Sequence, residues 1–116
     1  MVVEAYKLLS TSLVEMLTDN GHEVVAEANR GAEAVEKVNE HKPELVLLDI
    51  HEDTFEATRQ IKKDHPEVKV VMLSLAEDVD DKPGAIESGA DAYIGKNATT
   101  EDLIDAINAV GEKRAA

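Results

Sequence analysis

Leu45-Val46-Leu47-Leu48-Asp49-Ile50 is the stretch on which the fold turns. Four consecutive apolar residues run straight into one carboxylate, with Pro43 just upstream and His51-Glu52-Asp53 just downstream. A continuous apolar run of this length predicts a strand buried on both faces, and only helices on both sides of a parallel sheet bury it so. In such sheets ligands and chemistry collect beyond the carboxyl ends of the strands. Asp49 stands at that end and is the first candidate for a reactive group.

Working outward, Val68 to Leu73 is a second strongly apolar strand that ends on Ser74, and Asp91 to Gly95 is a shorter one followed by Lys96. Residues 1–5 and the segment His22 to Glu27, centred on Val24-Val25, complete the predicted strands. Between them, Leu9, Leu13, Met16 and Leu17 recur at helical spacing before Asn20-Gly21. Gly31 opens a helix with Ala34, Val35 and Val38 on one face, closing before Lys42-Pro43. Phe55, Ala57, Thr58 and Ile61 mark the inward face of a third helix, which Pro66 ends. Pro83-Gly84 confines the fourth to a late, short helix ending at Ser88-Gly89, because both residues disfavour a helix interior. Thr99 or Thr100 caps a last helix carrying Leu103, Ile104, Ile107 and Val110. Strands alternating with helices imply right-handed crossovers and a three-layer, doubly wound α/β sandwich.

At 116 residues the chain suits one domain with a single core, so residues 1–116 are read as one unit without an output domain. There is no Cys, which excludes disulfides, thiolate metal sites and thiol catalysis and suits a cytoplasmic setting. No signal peptide or apolar stretch of membrane-spanning length is present, so no membrane association is expected. Twenty-five acidic against 12 basic residues give a formal net charge of -13, which repels nucleic-acid phosphates. That excess instead suits a basic protein surface or a divalent cation, and for most of these carboxylates it serves solubility.

Asp49, Ser74 and Lys96 each end or closely follow a different strand, and a parallel sheet brings all three to one edge. This constellation resembles the receiver domain of two-component response regulators. The likeness runs through Gly21 to Ala28, Leu45 to Ile50, Glu56-Ala57-Thr58, Val70 to Ser74, and Gly89-Ala90-Asp91-Ala92-Tyr93-Ile94-Gly95-Lys96. The local flavour is nearest to receivers that usually carry a helix-turn-helix output domain. The resemblance implies a flavodoxin-like sheet of strand order 2-1-3-4-5. It also implies that Asp49 accepts a phosphoryl group from a histidine kinase, a phosphotransfer protein or a small phosphodonor. Ser74 would then bond a phosphoryl oxygen, Lys96 would pair with Asp49 or its phosphate, and Tyr93 would swing inward as the switch. Such a domain signals to a downstream protein target and is not an enzyme in the usual sense.

The chain also departs from that pattern. The family holds Mg²⁺ with an acidic pair at the end of the first strand, and an ungapped count from Gly21 puts that pair on Glu4 and Ala5. Ala5 has no side-chain oxygen, and Mg²⁺ demands near-ideal octahedral geometry. The metal set implied by the resemblance is thus Asp49, Glu4 and the backbone carbonyl of His51, in a loop shorter than the family's. These departures keep a second reading open: a pseudo-receiver that binds protein partners, holds Mg²⁺ weakly and is not phosphorylated. Taken singly, Ser74 reads as a turn residue, Lys96 as a solvated lysine and Tyr93 as half-buried packing. Glu52 and Asp53 read as displaced metal ligands or, more simply, as carboxylates at the N-terminus of their own helix. His22, His41 and His65 read as solvated turn residues, and Asp78, Asp80 and Asp81 as a solvated charge run.

Overall fold

The apolar run forms β3 (Leu45–Asp49), the middle strand of a five-stranded parallel sheet in a computed structural model of the chain. The structure describes residues 1–50, 53–74, 82–95 and 98–112, with the backbone alone at 111 and 112. Along the chain the elements are β1 (Val2–Val3), α1 (Lys7–Asp19), β2 (Glu27–Ala28), α2 (Gly31–His41), β3, α3 (Thr54–Asp64), β4 (Lys69–Leu73), α4 (Lys82–Ser88), β5 (Ala92–Ile94) and α5 (Thr100–Glu112). Their order in the sheet is β2-β1-β3-β4-β5, as the family likeness implies. No helix among the described residues is long and apolar enough to cross a membrane.

Alternation along the strands divides the core into two layers. Val46, Leu48, Val70 and Met72 face Ala34 and Val38 of α2, Ile61 of α3 and Ala85 of α4. Val2, Leu47, Val71 and Leu73 face Leu13 and Leu17 of α1 and Leu103, Ile107 and Val110 of α5. Leu47 and Leu48 therefore bury completely on opposite sides, which explains why the run shows no polar alternation.

The second strand lies later than the apolar pair Val24-Val25 indicates. Parallel pairing joins Val2 to Glu27 and Val3 to Ala28, so β2 holds one exposed and one buried residue. Val24 packs toward the layer of α1 and α5, while Val25 is 42% exposed. Hydrogen-bonding partners decide a strand's position here, and β1 offers only two residues to pair with.

Local chemistry explains the helix ends. Pro83 sits in the first turn of α4, where its missing N–H has no helical partner to lose. Gly84 lets α4 approach the ring of Phe55, since a Cβ there would stand 3.0 Å from Phe55 Cζ. Thr99, rather than Thr100, caps α5: the Asp102 N–H donates to Thr99 Oγ1 and the Thr99 N–H to Asp102 Oδ2, both at 3.0 Å. At the opposite end of the sheet, Lys62 Nζ donates to Val68 O at 3.0 Å and to Asp91 Oδ2 at 2.9 Å. Asp91 Oδ2 also accepts the Val70 N–H at 2.8 Å, so one ion pair ties α3 to the starts of β4 and β5. His65 is not simply solvated, because its Nε2 meets Asn39 Oδ1 at 2.7 Å and joins α2 to the end of α3.

Candidate functional site

The register of the sheet assembles the site. Val3 pairs with Leu48, so Glu4, one residue beyond β1, comes beside Asp49 at the end of β3. Asp49 pairs with Leu73, the last residue of β4, and Ser74 follows it. The ladder continues past the strands: Ile50 N–H donates to Leu73 O at 3.0 Å and Ser74 N–H to Ile94 O at 2.8 Å. Three successive strands thus deliver Glu4, Asp49 and Ser74 to one edge. All three are buried, Glu4 to 1%, Asp49 to 5% and Ser74 to 2% exposure.

Glu4 and Asp49 share a face. Each is two residues beyond an inward residue of the α1/α5 layer, Val2 and Leu47 respectively. Their side chains are hydrogen-bonded to each other, and the Tyr6 N–H donates to Glu4 Oε1 at 3.0 Å. Burial first, then the hydrogen bond and negative charge of Glu4, together push the Asp49 carboxyl up to about 8. The Ile50 backbone N–H acts the other way. Two carboxyls this close cannot both ionise easily, so the pair is most stable sharing one proton.

The same crowding bears on Mg²⁺, which receiver domains generally bind at this acidic edge. Two buried carboxylates in contact are a donor set that a divalent cation relieves, and Mg²⁺ commonly takes one or two carboxylates and keeps its waters. Glu4 and Asp49 fit that role. Ala5 is exposed and has no side-chain oxygen, so the end of the first strand contributes one carboxylate rather than two.

Other site expectations divide. Tyr93 lies in β5 opposite Met72, half-buried against the α2/α3/α4 layer, so packing accounts for its position in this conformation. Lys96, His51 and Glu52 lie outside the described residues, as do Asp78, Asp80 and Asp81. Asp53 stands at the N-terminus of its own helix, at the N-cap position of α3, as the simpler reading has it. It makes no side-chain cap bond to α3, and its Oδ2 accepts the Ala32 N–H at 3.3 Å, at the N-terminus of α2. Sequence spacing gives no sign of this contact, because it joins two helices 21 residues apart. Two exposed apolar residues also escaped the sequence reading: Tyr6 and Leu8, 66% and 83% exposed, stand where α1 begins, next to Glu4. Leu8 falls off the buried stripe Leu13-Leu17, which is the signal that marks it as outward.

Residues 1–108 match the family model described as the response regulator receiver domain. The chain is 41% identical over 93 residues to the response regulator protein VraR of Staphylococcus saprophyticus, covering 78% of this chain and 44% of that protein. It is 33% identical over 114 residues to the response regulator GacA of Pseudomonas viridiflava, covering 95% of this chain and 53% of that protein. The chain therefore spans about half the length of these curated relatives. Among solved structures, the receiver domain of NtrX from Brucella abortus superposes with a TM-score of 0.84 at 31% identity, covering 96% of each chain.

Proposed function

The chain belongs to the response regulator receiver domain family, and from that premise we propose that Asp49 is its phosphoacceptor. The observation that supports this most is the buried row of Glu4, Asp49 and Ser74 across three neighbouring strand ends. An oxygen of the Asp49 carboxylate attacks phosphorus in a phosphohistidine or a small phosphodonor. A P–O bond forms as the P–N or P–O bond to the donor breaks, and the leaving imidazole or acid carries away the electron pair. Asp49 must first release the proton it shares with Glu4. Mg²⁺, held by Glu4 and Asp49, would supply positive charge toward the phosphoryl oxygens. Ser74 donates its hydroxyl to one of those oxygens, and Lys96 supplies the ammonium that the family likeness assigns to it. Tyr93 then follows Ser74 inward and alters the surface of β5 and its neighbouring helices. The partners on this reading are a histidine kinase or phosphotransfer protein upstream and a protein target downstream.

A second reading, a pseudo-receiver that docks partners without accepting phosphate, is favoured by Ala5 and by the pairing of Asp49 with Glu4. Beryllofluoride with Mg²⁺ separates the two. The phosphoacceptor reading expects saturable changes in the backbone amide resonances of Asp49, Ser74 and Tyr93, abolished by Asp49→Asn. An unchanged spectrum at millimolar Mg²⁺ rejects it in favour of the pseudo-receiver.

A further inference from the structure

At the opposite end of the sheet, below the starts of β1, β3 and β4, lies a cavity of about 750 Å³. That volume is within the range of small-molecule sites, roughly 300–1,000 Å³. Its lining includes Leu17 of α1 and Ile107 of α5, both buried. One wall is the segment around Val24, which belongs to neither a strand nor a helix. Lys42, Lys69, His22 and His41 also line the cavity, together with Glu23 and Glu44.

Two features distinguish this lining from the rest of the molecule. The chain as a whole has 25 acidic against 12 basic residues, yet here two lysines balance two carboxylates, with two histidines beside them. Lys42 is also the one non-glycine residue with positive φ among the described residues, at 47°. It occupies the position after α2 where glycine or asparagine is usual, and it ends the helix by donating its N–H to Val38 O at 2.8 Å. A lysine in left-handed backbone is disfavoured relative to glycine, and backbone held in such conformations clusters at ligand sites.

We propose that this cavity binds an organic anion with an apolar body, such as a carboxylate or sulfonate on a hydrocarbon or aromatic frame. Leu17, Val24 and Ile107 take the apolar part. Lys42 and Lys69 pair with the anionic group, and the ring nitrogens of His22 and His41 can donate to it. Glu23 and Glu44 disfavour a dianion and tune the site to a single charge. The site lies away from the Asp49 edge and does not depend on phosphoacceptor chemistry.

Anilinonaphthalene sulfonate and its uncharged parent, phenylnaphthylamine, test this on the full chain, followed by amide proton–nitrogen correlation spectra. The sulfonate should give saturable shifts at Leu17, His22, Lys42, Leu45, Lys69 and Ile107. The uncharged compound should bind at least about fivefold more weakly, as should the sulfonate to Lys42→Gly and to Lys69→Ala. Lys42→Gly relieves the backbone, so its melting temperature should stand at or above that of the parent, which separates lost binding from lost folding. Three results would each overturn the proposal: shifts centred on Tyr6, Leu8 or Ile86 instead, no saturation by about 1 mM, or equal affinity for the uncharged compound and for Lys42→Gly.

Discussion

On the proposed reading Asp49 carries two opposed demands: a phosphoacceptor must be ionised, and its contact with Glu4 favours a shared proton. The Asp49 carboxyl is pushed from 3.8 up to about 8 by burial and by Glu4. Between those values the folded chain retains a proton that the unfolded chain has released. The resulting contribution to stability is present below the unfolded value and is lost as pH rises through the folded one. Stability in the absence of divalent cations should therefore fall from about pH 4 toward pH 8. Asp49→Asn keeps a hydrogen-bonding group without the charge. It should raise stability by about 1–3 kcal/mol near pH 8 and flatten that fall. Urea unfolding across the range measures both, and a variant with the parent's pH profile would mean that Glu4 and Asp49 do not share a proton. Ala5→Asp asks the complementary question. A second carboxylate on the first strand should tighten Mg²⁺ about tenfold or more, measured by calorimetry. Unchanged affinity would show that Ala5 does not occupy the metal-facing position.

The element scale shows why the central strands were legible and some of their neighbours were not. β3 and β4 are buried on both faces, so their continuous apolar runs declare them in the sequence. β2 does not follow its own apolar residues, because its place depends on which residues β1 can pair with. The same limit applies to the site. Asp49 and Ser74 are readable as strand ends, whereas Glu4 came from the family resemblance, by the ungapped count from Gly21. The Asp53 contact needs the packing of α2 against α3, which no local pattern encodes. Gly31 is the counterpart of that packing, since a Cβ there would lie 2.5 Å from the Asp53 carbonyl oxygen. Gly31→Ala should cost about 1–3 kcal/mol by overpacking at a backbone atom that cannot rotate away. Chemical denaturation tests this, and a cost near zero would mean that the start of α3 yields readily.

For the whole molecule the governing quantity is a net charge of -13 on 116 residues. Repulsion among unpaired surface carboxylates opposes compaction, and salt screens it over a distance of about 8 Å at physiological ionic strength. Raising sodium chloride from about 0.02 to 0.5 M should raise the melting temperature by several degrees, read by circular dichroism. A flat response would assign the surface charge to local ion pairs such as Lys62–Asp91 rather than to a general field.

The strand order has a consequence in time as well as in space. β1 is made first, yet it lies between β2 and β3, and Val2 finds its partner Leu47 only 45 residues later. At ribosomal speeds of about 5–20 residues per second, Val2 and Val3 wait roughly 2–9 s for that neighbour to be synthesised. The first strand of this sheet therefore waits longer for its second neighbour than any other, since Leu47 meets Val71 only 24 residues on and Val71 meets Ala92 only 21 residues on.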